Sequence, residues 1–449
     1  LNFAALISGF RDLYFQRRFF TIAGIAAVLF AMAFQWGFLF IPALILLSIL
    51  AISTIIDLLF LFSTSVPLEG RRDMAKILSL GDENEIQLKI SNLSSLDYAA
   101  VVIEEYPEQL QIRDISTRIV LPGRETVSIA YTVRPTDRAL LKFGGTNVLL
   151  SGKLNLVQRR IHLPTTGTIA VYPSIIQMKK FELHKMQKTA YLSGIKRMRK
   201  IGLSYEFEQI ANYVPGDDFR HINWKATGKQ NHLMINQYVE EKSQQVYCII
   251  DKSRNMMMPF NGMTLLDHAI NTALVISNIS LAKEDRAGII SFSDRTETYL
   301  KAQNRPGQLS KILEALYNEQ NSFTESNYEA LYFQLKRYIP NRSLIFLFTN
   351  FESLYNLKRN LSVLRKISRS HLLIVVLFEN TEISKELEIP AENIEDIYIK
   401  TMAKKISQEK WQMVQELSRH GIISIYTRPE DLTINSINKY LEIKARGTL

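Results

Sequence analysis

Between Arg18 and Asp57 the chain carries no charged residue. A bilayer core of about 30 Å is crossed by roughly 20 apolar residues, so the gap at 19–56 is too long for one span and suits two. Its middle, Phe34-Gln35-Trp36-Gly37-Phe38, has the polar residue, the glycine and the interfacial aromatics of a tight turn. The expectation is a two-helix membrane hairpin, with spans at 19–34 and 38–62 inside a region 1–75. Arg11, Arg17 and Arg18 precede it, and Arg71, Arg72 and Lys76 follow. By the positive-inside rule both termini are expected in the cytoplasm, with the chain in the inner membrane. A signal peptide does not account for so long an apolar block with no small-residue cleavage site after it. Asp57, near the cytoplasmic end of the second span, is expected to snorkel and to be structural rather than an ion relay.

Residues 80–173 lose the helical period. Ile86, Leu88 and Ile90 alternate with polar neighbours, as do Val127, Ile129, Tyr131 and Val133. Pro122-Gly123 and Gly144-Gly145 punctuate further short apolar runs. Seven to nine short strands at this spacing predict an all-β, immunoglobulin-like sandwich, read as a spacer or docking module. Residues 174–204 form a basic linker, with eight Lys or Arg between Lys179 and Lys200 against Glu182. The net charge of +10 is spread over 449 residues, so nucleic acid is not the expected partner. A single cysteine, Cys248, forbids an intrachain disulfide.

From 245 to 445, uninterrupted apolar runs alternate with helix-period segments. Strands are expected at 245–251, 287–292, 298–301, 343–348, 372–378 and 422–426. Helices are expected at 264–281, 306–317, 328–338, 357–369, 404–419 and 429–443. Buried strands alternating with helices predict an α/β domain with a mostly parallel sheet covered on both faces. Ligands sit at the carboxyl ends of such strands. Those ends hold Asp251-Lys252-Ser253-Arg254-Asn255, Thr324-Glu325-Ser326-Asn327 and Thr349-Asn350. The arrangement resembles a von Willebrand factor A domain, in which Asp-x-Ser-x-Ser, a Thr and an Asp on separate loops hold a divalent metal. The resemblance implies magnesium or calcium at Asp251, Ser253, Asn255, Thr324 or Ser326, and Asn350, in a degenerate metal-ion-dependent adhesion site. Asn255 replaces the second Ser and Asn350 replaces the Asp, leaving Asp251 as the one formal charge.

Residues 205–244 join the linker to this domain. Pro215-Gly216 signals a turn. Arg220, Ile222 and Trp224 alternate with His221, Asn223 and Lys225, the period of an extended segment. Glu206-Phe207, Tyr213, Gly216-Asp217-Asp218, Arg220, Ile222 and Trp224-Lys225-Ala226 resemble the signature of the domain of unknown function 58 family. Ser151 to Arg160 is similar to another of its segments, whereas Ala211 and Gly228-Lys229 depart from the usual pattern. Members join this motif to a von Willebrand A-like domain, often behind a membrane hairpin and a β-sandwich. The resemblance implies a MoxR-type AAA+ ATPase as partner, in assembly, metal insertion or envelope stress.

Adjacent acids in a Pro-Gly turn commonly bond backbone N–H groups or a nearby cation. Asp217, Asp218 and His221 are therefore read as structural, and Trp224 as a packing anchor. Ser253 has no His at suggestive spacing, and no phosphate-cradling glycine loop or small-molecule site is evident. The expected function is a membrane-tethered, non-enzymatic interaction scaffold. The alternatives are a metal-dependent hydrolase using Asp217, Asp218, Asp251 and His221, and an adhesion-type receptor.

Overall fold

The structure is a computed structural model that describes residues 12–62, 67–113, 116–174, 205–214, 219–230, 232–240, 243–388, 390–391 and 393–446. It divides into two compact units, Leu1–Tyr172 and Pro173–Leu449. Of the basic linker expected at 174–204, all but Ser174 lies outside the described residues.

In the first unit α1 (Arg17–Ala33) and α2 (Phe40–Phe62) pack on each other through a short 3-10 turn at Gly37–Leu39. The segment Gly37–Phe62 is long and apolar enough to cross a membrane, and most of its surface faces outward. Among the described residues, eleven strands follow or flank the helices: β1 (Leu13–Phe15), β2 (Leu68–Asp73), β3 (Ile77–Ser79), β4 (Asn84–Asn92), β5 (Tyr98–Glu104) and β6 (Ser116–Leu121); then β7 (Thr126–Val133), β8 (Leu140–Phe143), β9 (Thr146–Ser151), β10 (Val157–Leu163) and β11 (Gly167–Tyr172). They form sheets of order β1-β10-β9-β5-β6, β2-β4-β7 and β3-β11-β8. In β4 every second residue is buried, as the period of a half-buried strand requires. Leu88 and Ile90 of β4 share one core with Ala100, Val102, Val148 and Leu150 of the five-stranded sheet, and with Leu50 and Leu61 of α2.

Three strands of the first unit lie outside the span expected to be β, among them β3, which pairs in parallel with β11. The first, β1, pairs with β10 and leads straight into α1. Another, β2, sits within the expected hairpin region 1–75 and pairs with β4 along its whole length. Charges at Arg71, Arg72 and Asp73 masked its alternation. Arg72 is buried, 3.0 Å from Glu104, which also accepts a 2.8 Å bond from the Tyr131 hydroxyl.

Asp57 does not snorkel. It is buried, and its carboxylate accepts the N–H groups of Leu154 and Leu156, each at 2.9 Å, from the turn joining β9 to β10. Burying a carboxylate is costly unless it is hydrogen-bonded, and this turn supplies the donors. Around it Arg159 donates to the Leu61 carbonyl at 2.8 Å and lies over the Phe62 ring. The Gln16 side chain donates to Ser151 at 2.8 Å.

Among the described residues of the second unit, an antiparallel pair comes first, β12 (Tyr205–Asn212) and β13 (Met234–Glu240), enclosing a short helix α3 (Trp224–Gln230). Next comes β14 (Gln245–Asp251), followed by a two-residue pair, β15 (Pro259–Phe260) and β16 (Met263–Thr264). The remaining strands are β17 (Arg286–Phe292), β18 (Thr296–Gln303), β19 (Leu344–Phe348), β20 (Leu372–Phe378) and β21 (Ile423–Thr427). The sheet order is β18-β17-β14-β19-β20-β21, with β18 antiparallel at one edge and the other five strands parallel. Helices α4 (Leu265–Ala282), α5 (Gln308–Tyr317), α6 (Tyr328–Tyr338), α7 (Leu354–Ser370), α8 (Thr381–Glu388), α9 (Ile394–Arg419) and α10 (Leu432–Arg446) connect them. Alternate residues of β14 feed opposite cores: Val246, Cys248 and Ile250 pack with α4, and Tyr247 and Ile249 with α6 and α7. Helix α4 is apolar enough to cross a membrane by composition, but it is a buried core helix. A capping box between Thr264 and Asp267 starts it.

Candidate functional site

Asp251 ends β14, the central strand, at its carboxyl edge, and its side chain is fully buried. One carboxylate oxygen accepts the Ser253 N–H at 2.9 Å. The other accepts the hydroxyls of Ser326 and Thr349, each at 2.7 Å. The Ser326 hydroxyl also lies 2.9 Å from that of Ser253, and the Tyr328 hydroxyl 2.7 Å from that of Thr349. Burial raises the Asp251 carboxyl above its ordinary value, while the bonds from Ser326, Ser253 and Thr349 pull it back. Burial likewise raises the Tyr328 phenol, and the neighbouring Asp251 adds to the shift.

Of the two candidates in the loop before α6, Ser326 reaches the carboxylate. Thr324 faces away: its hydroxyl pairs with Ser322 at 2.8 Å, and its carbonyl accepts the Arg254 N–H. Asn350 turns its amide nitrogen to the Asn255 carbonyl at 3.2 Å. Its amide oxygen accepts from the Lys410 ammonium at 2.9 Å. Lys410, from the middle of α9, also donates to the Phe351 carbonyl. Burial lowers the Lys410 amine to about 8, with Glu352 and Glu409 opposing. The Asn255 side-chain oxygen is buried without a hydrogen-bond partner. Lys252 bonds Glu297 and Glu319, each at 2.8 Å.

Magnesium and calcium prefer several free oxygens with more than one carboxylate among them. Here both Asp251 oxygens are engaged by protein donors, and the Asn350 oxygen holds an ammonium. As arranged, the residues do not fit a divalent cation. No group of three His, Cys, Asp or Glu with ligand spacing occurs among the described residues. The outer side of the cluster is a polar cleft of about 170 Å³, lined by Arg254, Glu325, Ser326, Asn356 and Arg359 among others. Thr349, Tyr328 and Lys410 complete the site beyond the expected set. Thr349 was visible as Asn350's neighbour, whereas nothing local marks Lys410.

The signature segment is only partly described. Gly216, Asp217 and Asp218 lie outside the described residues, as do the side chains of Glu206 and Arg220. Tyr213 continues the hairpin ladder through its N–H to the Leu233 carbonyl at 2.9 Å. The expected extended run at 220–225 is instead a 3-10 turn, Phe219–His221, followed by α3. Asn223 is the reason: its side-chain oxygen accepts the Ala226 N–H at 3.0 Å, an N-cap that the alternating pattern concealed. Trp224 therefore starts a helix, and at 71% exposure it is not a packing anchor of this unit.

Among curated proteins, the uncharacterized protein YeaD of Bacillus subtilis (strain 168) is 22% identical over 191 residues, which cover 41% of this chain and 48% of that protein. The match thus spans about half of that relative's length. Among solved structures, the conserved hypothetical protein BatB from Bacteroides thetaiotaomicron is 13% identical, covering 45% of this chain and 100% of that one, with a TM-score of 0.30. A CARDB domain from Pyrococcus furiosus is 11% identical, covering 22% of this chain and 88% of that one, with a TM-score of 0.17. Both scores are too low to carry an argument. Residues 209–396, from β12 to the start of α9, match the family described as "Protein of unknown function DUF58".

Proposed function

We propose that the chain is a membrane-tethered, non-enzymatic interaction protein. Its C-terminal α/β domain, read as von Willebrand A-like, docks a MoxR-type AAA+ ATPase in an assembly, metal-insertion or envelope-stress role. Two exposed aromatics carry the interaction part of this reading. Phe323, 83% exposed, lies two residues before the cleft residue Glu325, and Tyr355, 74% exposed, is next to the cleft residue Asn356. Exposed aromatics beside a polar recess are the usual anchors of a protein interface. The choice of ATPase rests on the family resemblance alone, and the tether on the apolar segment Gly37–Phe62. The Asp251 cluster then acts as a rigid floor that holds the loops of 253–256 and 322–327 in a binding geometry. The test is co-expression of the full chain with a MoxR-type ATPase from the same genome, extraction in mild detergent, and pull-down on the chain. Recovery of a stoichiometric complex supports the reading. Recovery of the folded chain alone, with the ATPase folded and in excess, sinks it.

A further inference from the structure

An apolar groove of about 350 Å³ runs between α1 and α2, lined by Ile22, Ile25, Leu46, Ile49, Leu154 and Leu156 among others. That volume falls in the range of small-ligand sites, about 300–1,000 Å³. Two exposed cations, Arg18 and Lys153, adjoin the groove residues along the chain. Arg18 is one turn before Ile22 and two turns before Ile25, so the three share a face of α1. Lys153 precedes Leu154 in the β9–β10 turn, and its ammonium lies 5.0 Å from the Phe60 ring centroid, two turns beyond the groove residue Ser53. The nearby acids do not cancel this charge outward. Asp57 is buried against the N–H groups of Leu154 and Leu156, and Asp12 lies 3.8 Å from Arg160. An apolar slot beside two cations matches a lipid whose fatty chain is esterified to a phosphate-bearing headgroup.

We propose that this groove seats one acyl chain of an anionic phospholipid, whose phosphate is held by Arg18 and Lys153. The site rests on the membrane reading above, since a groove on a bilayer-crossing hairpin draws its occupant from the lipids around it. The β9–β10 turn would then read the headgroup layer while Leu154 and Leu156 close the top of the groove.

The full chain is reconstituted in vesicles of equal dioleoyl-phosphatidylglycerol and dioleoyl-phosphatidylcholine, checked by flotation, extracted in mild detergent, and weighed by native mass spectrometry. Phosphatidylglycerol should be retained at least tenfold over phosphatidylcholine, at one molecule per chain. Arg18→Gln with Lys153→Gln should bring that ratio to near one without changing the melting temperature. Ile49→Trp should abolish retention of either lipid. If that variant fails to fold, the double Gln variant alone decides. Flotation with equal retention of both lipids, or with selectivity that survives the double Gln change, overturns the site and leaves the tether standing. Failure to float with vesicles of any composition overturns the tether, and the lipid site with it.

Discussion

The carboxylate of Asp57, on an apolar helix, lies 2.9 Å from the backbone nitrogen of Leu156, ninety-nine residues later in the sequence. The other oxygen takes the Leu154 N–H, and Gly152 leaves room for the carboxylate: a Cβ there would lie 2.5 Å from the Asp57 carboxyl carbon. Asp57→Ala leaves a buried N–H without an acceptor and should cost about 1–3 kcal/mol. Gly152→Val should destabilise through the clash, and the two together by less than their sum, because they disturb one contact. Thermal unfolding of the detergent-extracted chain measures all three. An unchanged midpoint for Asp57→Ala would show that the turn does not depend on the acid.

That contact also marks where sequence reading stops. The uncharged gap announces two helices and Asp57 announces a problem, but its solution lies in a turn nearly a hundred residues away. In the α/β unit, strands such as Leu344–Phe348 and Leu372–Phe378 are legible because strands buried on both faces need no polar alternation. Asp251 is legible as the acid that ends such a run. Thr324 and Ser326 have the same chemistry in one loop, so only coordinates separate them. Lys410 looks like any basic position on a helix, and no periodicity places it against Asn350. Asn223 could have been found as an N-cap had the alternation around it not been the stronger signal.

His371 sits where α7 meets β20 and is buried. Burial holds its imidazole below the ordinary value of 6.5, with the Asn341 backbone opposing and Arg342 adding to the effect. The unfolded chain therefore takes up a proton as pH falls through about 6.5, before the folded chain does. The folded state keeps its full stability above that value and loses it below. His371→Gln should remove this part of the slope. The stability difference between the two proteins, followed by urea unfolding from pH 7.5 down to about 5, should change steadily in favour of the variant. A constant difference would contradict the assignment.

Asp285, immediately before β17, is fully buried and ties down the last helix. It accepts from the Tyr440 hydroxyl, from Lys444 at 2.6 Å and from the Gln244 N–H at 3.1 Å. Removing one member of a buried charged network strands the others, so Asp285→Ala should cost about 3 kcal/mol. Deleting 432–446 removes two of these three partners, Tyr440 and Lys444, and should make the Asp285→Ala effect much smaller in that background. Equal effects in both backgrounds would disconnect Asp285 from α10.

Phe323 and Tyr355 supply the sharpest test of the interaction surface. Being exposed, neither should alter the melting temperature when replaced by Ala, because surface substitutions away from packed features usually stay within about 0.5 kcal/mol. Interface anchors commonly cost 2 kcal/mol or more, a loss of about thirtyfold in affinity. The double variant should therefore lose the ATPase in pull-downs while remaining folded. Capture that is undiminished by both changes would move the interface elsewhere, and exposed Trp224 would be the next residue to replace.

The Lys410–Asn350 contact predicts how the Asp251 cluster responds to divalent ions. A cation that bound only the folded state would raise stability by RT ln(1 + [L]/Kd), about 2.7 kcal/mol at a hundred times Kd. With both Asp251 oxygens engaged and an ammonium on the Asn350 oxygen, millimolar magnesium or calcium should leave the melting temperature unchanged. Asn350→Asp alone should not change this, because the new carboxylate would pair with Lys410. Combining Asn350→Asp with Lys410→Met restores a second acid and removes the competing charge, and that variant should gain a magnesium-dependent rise in melting temperature. A rise already present in the unaltered chain would mean that the hydroxyls of Ser326 and Thr349 leave the carboxylate to admit the metal, and the cluster would have to be read as an ion site.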